Sequence, residues 1–315
     1  MRIPVTLLCG YLGAGKTTVI NHLLSAPDSP RITVLVNDFG SINVDARLIA
    51  DRGADTITLT NGCACCSIDD DLGTALQAQL ERAASIARIV IEASGVAEPQ
   101  RLARSVEAWP GLRLDRIATV VDAGAIQARA QDKFVGRLVR RQVEAADAIV
   151  LNKIDLAGES RLAETRAWLR TQAPDSQFIE VEKGAVASRW LFGAPSPAAR
   201  RTDGGEHTPH FHTTTVPLHA GLELAALRRI LVQAPAGIHR IKGFVRDPAG
   251  RTMLVQGEGG GRISLEPYDT HDQPAPMALV CIATDRASLD TLSQALAELV
   301  HAVQQPAHIK TAPAT

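Results

Sequence analysis

Residues 10–17 read Gly-Tyr-Leu-Gly-Ala-Gly-Lys-Thr and meet the pattern G-x-x-x-x-G-K-[ST] at every fixed position. This octapeptide constrains the fold more than any other feature, because its chemistry works only between a strand and a helix. Glycines let backbone N–H groups wrap phosphate oxygens with no Cβ in the way. Lys16 then reaches the outer phosphates, Thr17 offers a hydroxyl to Mg²⁺, and a helix N-terminus adds partial positive charge. The flanks comply: Ile3 to Cys9 is an apolar run that breaks at Gly10, and Thr17–Ser25 has helical periodicity. The competing reading, a glycine turn followed by an incidental Lys-Thr, does not account for a complete match in this context. The expected nucleotide contacts are Gly10, Gly13, Ala14, Gly15, Lys16, Thr17 and Thr18. The opening apolar run is too short to span a bilayer and carries no secretory cleavage pattern, so a buried first strand and a cytoplasmic location are expected.

The pattern of that first unit repeats. Apolar segments at Val5–Cys9, Ile32–Asn37, Ile57–Thr60, Ile86–Glu92, Arg116–Asp122, Ala148–Asn152 and Gln177–Val181 read as strands, several of them continuous enough for burial on both faces. Helical stretches at Thr17–Ser25, Asp70–Ala84, Gln100–Ala108, Phe134–Ala145 and Glu159–Gln172 alternate with them. This alternation predicts a three-layer α/β domain over residues 1–192 with a mostly parallel sheet, as in P-loop NTPases. Residues 193–212, rich in Pro, Gly and Arg, read as a linker. A smaller α+β domain is expected over 213–305. Its strands are Thr213–Pro217, Ile238–Arg246, Thr252–Gln256 and Met277–Ala283, and its helices Leu222–Val232 and Ser288–Val303. Residues 306–315 read as a disordered tail.

Two further motifs bear on the nucleotide. Asn152-Lys153-Ile154-Asp155 closes an apolar strand. There Asp155 can accept from guanine N1–H and its exocyclic amine, a donor pair that adenine lacks. Asn152 would hold O6 or the phosphate loop, and the stem of Lys153 would cover the ring; a simple strand-end turn is the alternative. Glu92-Ala93-Ser94-Gly95 ends another strand, where an acid can hold Mg²⁺ or its water and Gly95 can turn an N–H toward the γ-phosphate. Asp38 ends a third strand and Asp122 a fourth, the latter a weaker metal candidate. The set expected to act on the γ-phosphate is Lys16, Asp38, Glu92 and Gly95, with Thr17 and Glu92 at Mg²⁺.

Cysteine usage points to different chemistry. The chain has five cysteines, an odd number, and three of them fall at Cys63, Cys65 and Cys66. A disulfide framework would spread them out. Thiolates ahead of a helix near Asp69–Asp71 would have lowered pKa values, and three soft ligands suit Zn²⁺ or Cu(I) better than Mg²⁺. Inert buried thiols or a redox pair are the alternatives, and a fourth ligand could be water, Asp38, a histidine or a partner protein. His210 and His212 form a weaker His-x-His candidate. With a formal charge of −1 and 3% aromatic residues, neither a basic nucleic-acid surface nor base-stacking platforms are expected.

On these residues the chain resembles the CobW-like P-loop GTPases, a group that includes zinc metallochaperones and cobalamin-biosynthesis proteins. Gly10–Thr17 resembles the group's phosphate loop, Cys63–Cys66 its C-x-C-C motif, Glu92–Gly95 its E-x-x-G and Asn152–Asp155 its guanine motif. The C-terminal stretch His239-Arg240-Ile241-Lys242-Gly243-Phe244 is similar to the CobW C-terminal domain. One departure is Asn37-Asp38-Phe39-Gly40-Ser41, where relatives often carry a second acid in place of Ser41. The resemblance implies slow GTP hydrolysis to GDP and phosphate, with Mg²⁺. It implies Zn²⁺ cargo, Co²⁺ being the alternative, on Cys63, Cys65 and Cys66, passed to a client metalloprotein docked on the C-terminal domain. A small-molecule phosphotransferase and a passive metal-binding protein are the rival readings. No nucleic-acid or membrane partner is expected, and a homodimer stays open.

Overall fold

The computed structural model describes residues 2–27, 32–37, 56–59, 86–192, 211–219, 221–259, 261–269 and 275–304. The chain divides into two compact units, Met1–His210 and Phe211–Thr315. The first runs β1 (Ile3–Cys9), α1 (Lys16–Ser25), β2 (Ile32–Asn37), β3 (Thr56–Leu59), β4 (Arg88–Glu92), α2 (Pro99–Ala108) and β5 (Leu112–Asp122). It continues with α3 (Ile126–Gln131), α4 (Gly136–Glu144), β6 (Ala148–Asn152), α5 (Ile154–Ala157), α6 (Glu159–Gln172), β7 (Gln177–Glu180) and α7 (Ser188–Leu191). Its strands make one sheet in the order β3-β2-β4-β1-β5-β6-β7, and every neighbouring pair is parallel.

The continuous apolar runs are explained by burial on both faces of this sheet. Successive side chains of a strand point to opposite faces. Val5, Leu7 and Cys9 therefore join Ile89, Ile91 and the α2 residues Leu102 and Val106 in one core. Leu8 joins Val34, Val36 and the α1 residues Val19, Ile20 and Leu23 in the other. Each of those three α1 side chains is fully buried and contributes roughly 1.5–3 kcal/mol. That stripe fixes the helix, and the helix fixes the loop before it. β5 starts at Leu112, earlier than the expected Arg116. Its polar Arg113 and Asp115 hide the strand in sequence, but Asp115 is paired with both Arg88 and Arg113.

The second unit runs β8 (His212–Pro217), α8 (Leu224–Val232), β9 (Ile238–Arg246), β10 (Thr252–Glu258), β11 (Arg262–Pro267), β12 (Ala278–Ala283) and α9 (Arg286–Gln304). The strands form an antiparallel sheet in the order β11-β10-β9-β12-β8. Ile241, Val245, Val255, Leu279 and Cys281 pack against Leu227 and Leu231 of α8 and Leu289, Leu292 and Leu296 of α9. The edge strand β11 was not expected: its alternation of Arg262, Ile263, Ser264, Leu265 and Glu266 offers only two apolar residues, yet both reach that core. The helix expected at Asp70–Ala84 lies outside the described residues.

Cys9 and Cys281 are fully enclosed, and burial pushes each thiol up to about 12, with Lys16 opposing the shift at Cys9. A thiol reacts through its thiolate, so both stay protonated and inert near neutral pH. Alkylation of the native protein at pH 7.5, read by peptide mass spectrometry, is expected to leave both unmodified while unfolding exposes them. Labelling of either in the native state would contradict this packing.

Candidate functional site

The site is assembled at the carboxyl ends of parallel strands. β1 lies between β4 and β5. From β1 the chain passes to β2 on one side of the sheet, whereas β4 and β5 lead to the other, so a crevice opens where these directions diverge. The register sets Glu92 beside Leu8 and Thr119 beside Cys9, and Asp122 beside Asn152 one strand further on.

Within the loop from Gly10 to Thr17, Gly15 has φ 102° and caps α1 with no side-chain hydrogen bond. A Cβ there would lie 2.3 Å from Asn152 Nδ2. Buried Lys16 donates from Nζ to the Gly10 carbonyl at 2.9 Å, which folds its ammonium back over the loop. Thr17 Oγ1 donates to Glu92 Oε1 at 3.1 Å. A hydroxyl and a buried carboxylate this close are hard oxygen donors and fit Mg²⁺ rather than a soft metal. Beyond Glu92 the chain passes directly over the phosphate loop. A Cβ on Gly95 would sit 2.8 Å from the Leu12 backbone nitrogen, so only glycine permits this approach.

The strand end at Asn152 is tied to the same loop. Its Nδ2 donates to the Ala14 carbonyl at 3.0 Å, and its Oδ1 accepts from the Gly184 N–H at 2.9 Å. Of the two partners expected for Asn152, the structure shows the loop. Lys153 takes a left-handed conformation, φ 62°, and its Nζ lies 3.0 Å from Asp122 Oδ2. Asp122 also accepts from the N–H groups of Gly124 and Ala125 at the start of α3. Its carboxylate thus serves a turn and a lysine. Asp155 lies exposed in the first turn of α5.

Sequence reasoning missed three contributors. Gly184, on the loop after β7, closes on Asn152. Arg129 of α3 stands over the ring of Tyr11, 5.7 Å from its centroid, while burial pushes that phenol's pKa up. Gln142 of α4 donates to the carbonyls of Gly95 and Ala97. The glycine just past an apolar strand was the readable signal for the first, and in the structure Lys183 and Gly184 both take positive φ; nothing local marked the other two.

Asp38, Cys63, Cys65, Cys66 and His210 lie outside the described residues. His212 was expected in the linker but is the first residue of β8, because it enters the ladder opposite Ala283. Among the described residues no group of three His, Cys, Asp or Glu side chains could hold a metal ion, and no helix is long and apolar enough to cross a membrane.

Residues 4–180 match the family model described as CobW/HypB/UreG, nucleotide-binding domain. The chain is 34% identical to the zinc chaperone CobW of Sinorhizobium sp over 83% of its own length and 86% of that protein. It is 30% identical to the zinc chaperone CobW of Pseudomonas aeruginosa over 82% and 81%. Identity to the zinc chaperone YjiA of Escherichia coli is 39% over 55% of this chain and 56% of that one. A match that runs from the first strand past the Asn152–Asp155 motif, with relatives aligned over more than four-fifths of their length, means that the chain belongs to the CobW/HypB/UreG family.

Proposed function

We propose that the protein is a GTP-hydrolysing metallochaperone that carries Zn²⁺ on Cys63, Cys65 and Cys66 and hands it to a client docked on the second unit. The observation that carries the nucleotide half is the Thr17–Glu92 contact, a hydroxyl and a carboxylate meeting beside the phosphate loop. Mg²⁺ held by this pair would offset phosphate charge. Lys16 would bind the outer phosphates, Gly95 would orient its N–H on the γ-phosphate, and Asp38 would complete the set. Asn152 would brace the loop while Asp155 takes the guanine edge. Zinc as cargo is supported by the soft chemistry of three thiolates and by the names of the aligned relatives. His210 and His212 would serve at most as secondary, transient ligands.

Chain connectivity supports a coupling of the two halves. β3 ends at Leu59, which pairs in register with Asn37, and Val36 pairs with Glu92. Cys63 follows Leu59 by four residues, a reach of about 14 Å at full extension. Cys63 thus follows in sequence a strand whose end lies two strands from Glu92, and in this reading the bound nucleotide biases the metal site.

Zinc affinity is accordingly expected to differ by about tenfold or more between the GDP form and a non-hydrolysable GTP analogue form, a coupling within the usual allosteric range. Competition titration with a chromophoric chelator measures it, and equal affinities would remove the coupling. Cys65→Ala is expected to weaken zinc by at least about a hundredfold, because a lost ligand costs more than a lost outer partner. GDP affinity should stay unchanged in that variant.

A further inference from the structure

α4 buries Leu138, Val139 and Val143 along one stripe, and the fourth long side chain in that stripe is the amide of Gln142, 1% exposed. A buried amide is unfavourable unless paired, and a leucine or methionine would fill the same volume. Packing therefore does not explain it. Its Nε2 donates to the Gly95 carbonyl at 3.2 Å and to the Ala97 carbonyl at 3.0 Å. Two carbonyl partners demand the NH₂ group on that side, which fixes the orientation of the amide. Oε1 is left buried without a hydrogen-bond partner among the described residues. The side chain thus spends half its hydrogen-bonding capacity to hold one short loop.

The rest of α4 is arranged so that this hold is firm. The Gln142 backbone carbonyl accepts from Thr119 Oγ1 at 2.8 Å, anchoring the helix to β5 beside the end of β1. The neighbouring Arg141 pairs with Glu98, so the last turn of α4 grips residues 95–98 at consecutive points. Gly136 sits against the Ala130 carbonyl, where a Cβ would come within 2.4 Å. Gly95 is the residue with most to gain. Its carbonyl and its N–H belong to successive peptides, and glycine leaves the angle between them free. Clamping the carbonyl on one side, with Leu12 packed on the other, narrows the directions open to the N–H.

We propose that Gln142 is a positioning residue for phosphoryl transfer: it holds the Gly95 and Ala97 carbonyls so that the loop after β4 reads the γ-phosphate. Through the same contacts α4 carries that reading away from the nucleotide. The inference rests on the GTPase reading above and deepens it.

The test uses the full chain with Mg²⁺, comparing wild type with Gln142→Met. In the variant kcat for GTP is expected to fall by about tenfold or more, as for the loss of one to two ordinary hydrogen bonds made to the reactive arrangement. The preference for a non-hydrolysable GTP analogue over GDP should shrink by a similar factor. GDP affinity should hold within about twofold, because the proposed hold acts on the γ-phosphate, which GDP lacks. Unchanged kcat and an unchanged analogue-to-GDP ratio would overturn the proposal, as would an equal loss of affinity for both nucleotides with a lowered Tm. Absence of GTP turnover in the wild type strikes at the GTPase reading instead, and the analogue-to-GDP ratio still judges Gln142. Should Gln142→Met fail to fold, hydrogen exchange on the wild type decides. Amides of Val139–Ala145 are expected to be better protected with the analogue than with GDP, and identical protection overturns the proposal.

Discussion

Asn152→Ala is expected to destabilise the first unit by about 2–6 kcal/mol and to weaken GDP binding by roughly a hundredfold. Asn152 is 1% exposed and uses both ends of its amide, on the Ala14 carbonyl and the Gly184 N–H. Deleting it strands a donor and an acceptor, each at about 1–3 kcal/mol, and opens a void where Gly15 now meets the side chain. The phosphate loop and the loop after β7 then lose their common brace. Denaturant titration together with GDP calorimetry measures the two losses. Asn152→Asp sharpens the result, since it keeps the acceptor for Gly184 but turns an oxygen toward the Ala14 carbonyl. If Asn152→Ala binds GDP like the wild type, the brace has no bearing on the nucleotide.

Asp155→Asn is expected to act on selectivity and leave the fold alone. The residue is exposed, and surface changes of this kind usually stay within about 0.5 kcal/mol of stability. In the guanine reading its carboxylate accepts two charge-assisted hydrogen bonds worth about 1.5–3 kcal/mol each, so GDP affinity should drop by about 10²–10⁴-fold. Xanthine carries a carbonyl where guanine carries its amine, and the new amide can donate to it. Xanthosine diphosphate should therefore gain what GDP loses, with ADP weak in both proteins. Competition among the three diphosphates checks this, and an unaltered GDP affinity would take Asp155 out of the base site.

Much of the nucleotide half was legible because local chemistry fixes it. Residues 10–17 need their glycines, lysine and threonine in one order, and β1, β4 and β6 are apolar over most of their length because both sheet faces are covered. What stayed hidden depends on partners far away in sequence. Gln142 meets Gly95 across 47 residues, and Asn152 meets Ala14 across 138. Strand-end acids also look alike in sequence. Glu92 and Asp122 separate only once the strand order puts the first beside Thr17 and the second beside Lys153. β11 escaped because an edge strand needs few apolar residues.

The position of β4 between β2 and β1 has a consequence for biogenesis. In the finished sheet β1 and β2 are not neighbours, so before β4 is made they form no native ladder with each other, and among the described residues β2 then has only short β3 to pair with. Everything up to and including the three clustered thiols is synthesised before the insertion that joins those strands. Translation at about 5–20 residues per second leaves β1 and β2 unjoined for seconds. The segment that ends in Glu92 then joins β1 to the β2–β3 pair in one step. A nascent chain thus keeps β1 and the β2–β3 ladder apart until the strand ending in Glu92 has been made.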